Sequence, residues 1–219
     1  MSRGMAPRAS RDTDLYARAG LPQARYATSK ASPTADRSSY DARIGSIVHG
    51  VIATVARTCQ LLGFVERGDV VQEAVAAQTL GRDLGRGDKA RLRVTGLVCQ
   101  YLDLYLPPAD ATFVGAELRL ENGRVDLAWK HPKHGVFFDE LKTWRHDKDA
   151  LDADTLAQME RYLDAGSTRY SERFSGVRLI TLGNRRAALW LRPDGQIDAL
   201  AGSALDLSSP VRNPNPEVA

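Results

Sequence analysis

From Ile44 onward the apolar residues fall three and four apart: Ile44, Ile47, Val48, Val51, Ile52, Val55, Cys59 and Leu62. That spacing lays one buried stripe along a helix, and Gly63 is its expected stop. Two more helices are predicted, near Asp69–Leu80 and Asp88–Leu106, with Pro107 and Pro108 ending the second. The period then shortens. Thr112–Glu121, Arg124–Trp129 and Val136–Lys142 read as strands. A helix follows near Asp154–Ala165, with an Asp cap and Gly166 as its stop, and Leu156, Met159 and Leu163 on its core face. Val177–Leu182 and Ala187–Leu191 read as closing strands. Helices, three strands, a helix and two strands predict an α/β core with mixed pairing.

The second and third strands form a hairpin whose register can be read in advance. Asp126 and Glu140 each lie seven residues from Lys133, so antiparallel pairing centred on that loop sets the two carboxylates opposite one another at one edge of the sheet. Glu140 and Lys142, two apart, leave the same face. Facing carboxylates beside apolar neighbours repel, and a hard divalent cation such as Mg²⁺ relieves that repulsion. Glu140-x-Lys142 alone, a common tripeptide, reads more readily as an ion pair on an ordinary hairpin, and the matched position of Asp126 is what points beyond it. Asn122-Gly123 is a tight-turn signal joining the first two strands. A turn centred there pairs Glu121 with Arg124 and places Glu117 near Lys130, away from Asp126. Glu117 is then a lesser candidate for holding a second ion. His49 lies at the margin of the first helical stripe, where a histidine is a ligand or simply a boundary residue. Gly45, one turn earlier, leaves open space on the same face.

Composition narrows the field without naming a function. The chain has 219 residues, 43% hydrophobic, with a net charge of +3. That suffices for one good core and does not mark a strong polyanion binder, so basic surface must come from clustering. The densest cluster is the link carrying Arg82, Arg86, Lys89, Arg91 and Arg93, a candidate phosphate-contacting rim. Residues 1–41 read as a disordered basic tail, with a short helix near Asp14–Ala19. Residues 42–202 form the expected domain, and 203–219 a second disordered tail. No apolar run approaches a membrane span and no secretory signal is visible, so a cytoplasmic protein without membrane association is expected. Cys59 and Cys99 sit in apolar helical patterns and read as core residues.

Gly123-Arg-Val-Asp126, Glu140-Leu-Lys142 and Gln158-Met-Glu-Arg-Tyr162, preceded by Ile44–Gly50 (IGSIVHG), resemble the PD-(D/E)xK nuclease superfamily in its RecB-type branch. The likeness runs from about Ile44 to Leu191, with motif order and spacing in agreement. It implies a restriction-endonuclease-like core, α-β-β-β-α-β, with a mixed sheet flanked by helices. It also implies a Mg²⁺- or Mn²⁺-dependent deoxyribonuclease, an exonuclease in particular, that hydrolyses phosphodiester bonds through in-line attack of water.

By the same resemblance, His49, Asp126, Glu140 and the backbone carbonyl of Leu141 hold the metal. Lys142 orients or deprotonates the water, and Gln158 and Tyr162 support Lys142 and the substrate strand. Tyr162 also contacts nucleic acid; for Arg82, Arg86, Lys89 and Arg91 the warrant is charge clustering alone, which fits a phosphate-contacting rim or a solvated helix start. Two cysteines cannot supply the four-cysteine iron–sulfur cluster of the related CRISPR-associated exonucleases. No phosphate-cradling Gly-x-x-x-x-Gly-Lys-Ser/Thr loop is present. Unwinding would need a helicase or recombination partner, in DNA repair or in defence against phage and mobile elements. Two other readings stay open: a catalytically weak nucleic-acid-binding module of the same fold, and a hydrolase of a smaller phosphoester.

Overall fold

The computed structural model describes residues 35–82, 84, 88–121, 123–144, 153–183 and 187–200. Among the described residues three helices come first: α1 (Ala35–Cys59), α2 (Phe64–Thr79) and α3 (Asp88–Leu104). The strands are β1 (Thr112–Leu120), β2 (Gly123–His131), β3 (Gly135–Trp144), β4 (Phe174–Gly183), β5 (Ala187–Leu191) and β6 (Ile197–Leu200). They form one six-stranded sheet in the order β1-β2-β3-β4-β5-β6. Every neighbouring pair is antiparallel except β3 and β4, which are parallel. The helix between them, α4 (Ala153–Tyr170), lies in that crossover and packs against β4. The protein is therefore α/β, with a mixed sheet flanked by helices.

Period-two alternation on β3 separates two cores. Phe137 and Leu141 join the α1–α3 layer, with Val48, Val55, Val98 and Tyr101. Val136 and Phe138 join the α4 layer, with Met159, Tyr162 and Phe174. Glu140 has the parity of the α4 layer and Asp139 that of the helical layer. Asp139 and Arg178 are both fully buried, and the guanidinium meets both carboxylate oxygens at 2.6 Å. Tyr101 and Trp129 also donate to Asp139, at 2.8 and 3.0 Å. This network ties β3 to β4 beside Glu140. Asp139→Ala would strand a buried guanidinium and should cost about 3–5 kcal/mol, read as a lower urea midpoint; an unchanged midpoint would contradict that role.

Several expectations need correction. α1 begins at Ala35, so it takes up residues 35–41 that the polar composition had assigned to the tail; Tyr40 packs on the core and Arg93 bonds Asp41 at 2.8 Å. α2 begins at Phe64, five residues earlier than Asp69. Gly166 does not stop α4, which runs on to Tyr170. A Cβ at Gly166 would lie 2.2 Å from the Phe174 ring, so this glycine makes room for an aromatic side chain. A last strand, β6, was not anticipated. The Asp14–Ala19 helix and the 203–219 tail lie outside the described residues.

The β2–β3 register is the one predicted: His131 pairs with Gly135 and Leu127 with Asp139, so Asp126 and Glu140 come next in step. β2 and β3 are nevertheless interior strands, so the acids lie inside the sheet, one step beyond the last β2–β3 pair, and not at its edge. The β1–β2 register differs from expectation. Leu120 pairs with Gly123 and Arg119 with Arg124, which shifts β1 and brings Glu117 level with Asp126. The two pairs around that step, Ala116–Leu127 and Leu118–Val125, enter different cores. Both strands thus turn over between them, and Glu117 has a positive φ of 52°.

Candidate active site

β2 and β3 part after Leu127–Asp139, and a side chain takes over from the backbone ladder. The Leu141 amide donates to Asp126 Oδ2 at 2.7 Å. This bond holds the Asp126 carboxylate against the strand that carries Glu140 and Lys142. α1 reaches the fork from one side and α4 from the other.

From α1, His49 Nδ1 lies 3.0 Å from Asp126 Oδ1. The approach depends on Gly45, one turn earlier, where a Cβ would sit 2.8 Å from Thr143 Oγ1 on β3. The space expected at Gly45 is therefore filled by Thr143. Burial alone would lower the pKa of His49, but its hydrogen bond to Asp126 and the charges of Asp126, Glu140 and Glu117 raise it above 6.5. Gly45→Ala should push α1 off β3 and bring the His49 pKa down by loosening that bond. Thr143→Ala should restore it in the double variant. Proton NMR of the ring would show the shift, and an unchanged titration in Gly45→Ala would remove the close approach from the account.

From α4, Gln158 and Tyr162 close the floor. Gln158 Nε2 donates to Glu140 Oε1 at 2.9 Å and to the Tyr162 hydroxyl at 2.7 Å. Gln158 Oε1 accepts from Lys142 Nζ at 2.9 Å, and the same Nζ donates to Glu140 Oε1 at 2.8 Å. Burial raises the pKa of Tyr162, so its hydroxyl keeps a proton and donates it to the Arg124 carbonyl at 2.5 Å. Gly123 gives the ring room: a Cβ there would be 2.9 Å from Tyr162 Cε1. Glu140, Lys142, Gln158, Tyr162 and the β2 backbone thus form one chain of hydrogen bonds.

Glu140 is the electrostatic centre. Its side chain is 5% exposed, whereas His49 and Lys142 are 23% and 22% exposed, so the site has a buried floor and a more open mouth. Burial first, then the charge of Asp126, pushes the Glu140 pKa from 4.5 to about 7; Lys142 and His49 pull the other way. Glu140 Oε1 takes both hydrogen bonds, while Oε2 is buried with no partner among the described residues. A buried carboxylate oxygen without a donor is costly, and a cation would satisfy it.

Donor chemistry also fits a hard cation: two carboxylates and an imidazole. Cis ligands on bonds of about 2.1 Å stand about 3.0 Å apart, the separation of His49 Nδ1 and Asp126 Oδ1. Among the described residues no three His, Cys, Asp or Glu side chains already form a metal-holding group, so these donors would have to close around an ion.

The raised Glu140 pKa makes metal-free stability depend on pH. The folded state keeps a proton that the unfolded chain releases at its ordinary value of 4.5. The stabilisation is present below that value and lost as pH rises through about 7. Urea midpoints in EDTA should therefore fall for the native protein relative to Glu140→Gln over that window. Parallel profiles would assign Glu140 an ordinary acidity.

The other predicted residues are placed less closely. Arg82, Lys89 and Arg91 are exposed, and Arg86 lies outside the described residues. A Cβ at Gly50 would touch Gln78 at 3.6 Å, so α2 ends beside the middle of α1, next to His49, and the basic link starts from there. Arg93, part of that cluster, is turned instead to Asp41 and the Tyr40 ring. Cys59 is buried and Cys99 half-buried against the core. Among the described residues no helix is long and apolar enough to cross a membrane.

The residues missed in the sequence are Thr143, Arg124 and the close position of Glu117. The spacing of Glu117 from the Asn122-Gly123 turn was the available signal, and it misled because the strands pair about a centre one residue earlier than expected. No protein-family model matches the chain, and no curated protein shows significant similarity to it.

Proposed function

We propose that this protein is a Mg²⁺- or Mn²⁺-dependent deoxyribonuclease with a PD-(D/E)xK-type core. The observation that carries the reading is the orphaned, buried Oε2 of Glu140 beside the Asp126–His49 pair. The element order supports it: α1, then β1–β3, then α4 and β4 follow the α-β-β-β-α-β sequence. In this reading His49, Asp126, Glu140 and the Leu141 carbonyl would hold the ion. A bound divalent cation supplies Lewis acidity to a phosphodiester oxygen and lowers the pKa of a bound water.

The chain's own residues do the rest. Asp126, bonded to the Leu141 amide, couples β2 to β3, so the two carboxylates keep a common geometry. Lys142 Nζ stands at the carboxylate, where it orients the attacking water and offsets charge developing on the phosphoryl oxygens. Gln158 holds Lys142 through its carbonyl and Glu140 through its amide, fixing both rotamers. Tyr162, bonded to the Arg124 carbonyl, keeps α4 seated over the fork. Arg82, Arg86, Lys89 and Arg91 would meet the DNA backbone outside it.

The test is incubation with linear duplex, circular duplex and single-stranded DNA in Mg²⁺, Mn²⁺ or EDTA. Cleavage that EDTA abolishes is the expected result, and sparing of circular DNA would make the enzyme an exonuclease. Binding without cleavage would return the protein to a binding module. Hydrolysis confined to a small phosphodiester would return it to a hydrolase of lesser substrates.

A further inference from the structure

We propose that Arg124 is a phosphate-contacting residue of this site, held in reserve by Glu117 until a nucleic-acid backbone displaces it. The proposal rests on the nuclease reading and extends it to a residue that reading does not use. Arg124 lies two residues before Asp126 on β2, and its Nε pairs with Glu117 on β1. Glu117 is level with Asp126 in the β1–β2 ladder. It lies where both strands turn over, and its own φ is 52°. Its charge is among those that raise the pKa of His49. The ion pair therefore lies at the mouth of the fork, level with the buried carboxylates.

Three features make the pair suited to exchange. Arg124 and Glu117 are 61% and 41% exposed, and solvent screens such pairs so that they contribute little; breaking this one costs little. A guanidinium meets phosphate through two parallel hydrogen bonds, a stronger contact than an exposed carboxylate offers. The Arg124 carbonyl is anchored by Tyr162, so the side chain can swing without moving the strand that bears Asp126.

Charge balance supplies the motive. A phosphodiester entering the fork meets the carboxylates of Glu117, Asp126 and Glu140, while Lys142 is already engaged by Glu140 and Gln158. Among the described residues, Arg124 is a nearby cation whose charge is paired with an exposed carboxylate. Glu117 screens it when the site is empty and repels misplaced anions. The substrate backbone then takes its place.

The two partners should have effects of opposite sign on binding. Wild type, Arg124→Gln, Arg124→Lys, Glu117→Gln and the Arg124→Gln/Glu117→Gln double variant are compared on short duplex and single-stranded oligonucleotides. Binding is measured in EDTA at several salt concentrations, with melting temperatures as the check on folding. Arg124→Gln should weaken binding about tenfold and flatten the log–log salt slope by about 0.7–0.9. Arg124→Lys should keep the slope and lose part of the affinity, and it serves if the Gln variant fails to fold. Glu117→Gln should tighten binding, and this gain should shrink in the double variant.

Weakening by Glu117→Gln, or an unchanged slope in Arg124→Gln, would overturn the proposal. Loss of Mn²⁺-dependent cleavage in Glu117→Gln with unaltered binding would make Glu117 a cation ligand and overturn it as well. Wild-type protein that binds neither oligonucleotide would bring down the nuclease reading and this proposal together. Wild type that binds and cleaves beside unaffected variants would bring down only this one.

Discussion

Glu140→Gln is expected to abolish metal-dependent DNA cleavage, by at least about a thousandfold or 4 kcal/mol, while the fold stays intact. The amide oxygen can still accept from Lys142 Nζ and Gln158 Nε2, as Oε1 does now. The amide nitrogen replaces an oxygen that has no partner and removes a charge that Asp126 repels. Melting temperature in EDTA should therefore hold or rise, most clearly above pH 7, where native Glu140 is ionised. What the variant loses is a charged ligand for a hard cation, for which a neutral amide is a poor substitute. Full cleavage activity in a folded Glu140→Gln protein would remove the metal site from the account.

Lys142→Ala should reduce turnover about a hundredfold or more, about 2.7 kcal/mol, with a much smaller loss of metal affinity. Lys142 is one of the groups that pull the Glu140 pKa down. Without it Glu140 holds its proton more tightly, so half-saturation with Mn²⁺ should move to higher pH. Saturating the site at pH 8 would correct that secondary loss. The turnover defect should persist, because the variant has no group to orient the water or offset charge on the phosphoryl oxygens. Single-turnover cleavage against Mn²⁺ concentration separates the two effects. A rate restored by saturating metal would reassign Lys142 to tuning Glu140 alone.

The parts of the site that could be read from the chain were those set by short-range geometry. The β2–β3 register followed from equal spacing about Lys133, because a hairpin pairs residues symmetrically about its loop. The shared face of Glu140 and Lys142 followed from the two-residue period, and that of Gln158 and Tyr162 from one helical turn. His49 was placed at the edge of an apolar stripe, and the structure brings it to Asp126 because Gly45 lets α1 close on Thr143.

What could not be read depended on contacts between distant elements. Gly166 has the composition of a helix stop, but it serves Phe174, which follows the helix. Ala35–Ser39 carries no apolar period, and α1 extends through it into contacts that Tyr40 and Asp41 make with the core and with Arg93. The buried Asp139–Arg178 pair joins residues 39 apart in sequence. An arginine inside the apolar run Val177–Leu182 and an aspartate directly after Val136–Phe138 were its traces. The β1–β2 register failed because Asn122-Gly123 was taken as the turn centre, whereas Gly123 already pairs with Leu120. That shift is what brings Glu117 to the site.

Crystals soaked in Mn²⁺ and measured at the manganese absorption edge would test the central claim, a divalent-metal centre at the β2–β3 fork. One anomalous peak is expected about 2.0–2.3 Å from Asp126, Glu140 and a His49 ring nitrogen, with Glu140 Oε2 among its ligands. No peak at the fork under saturating Mn²⁺, with His49 still hydrogen-bonded to Asp126 and Glu140 Oε2 still without a partner, would contradict it.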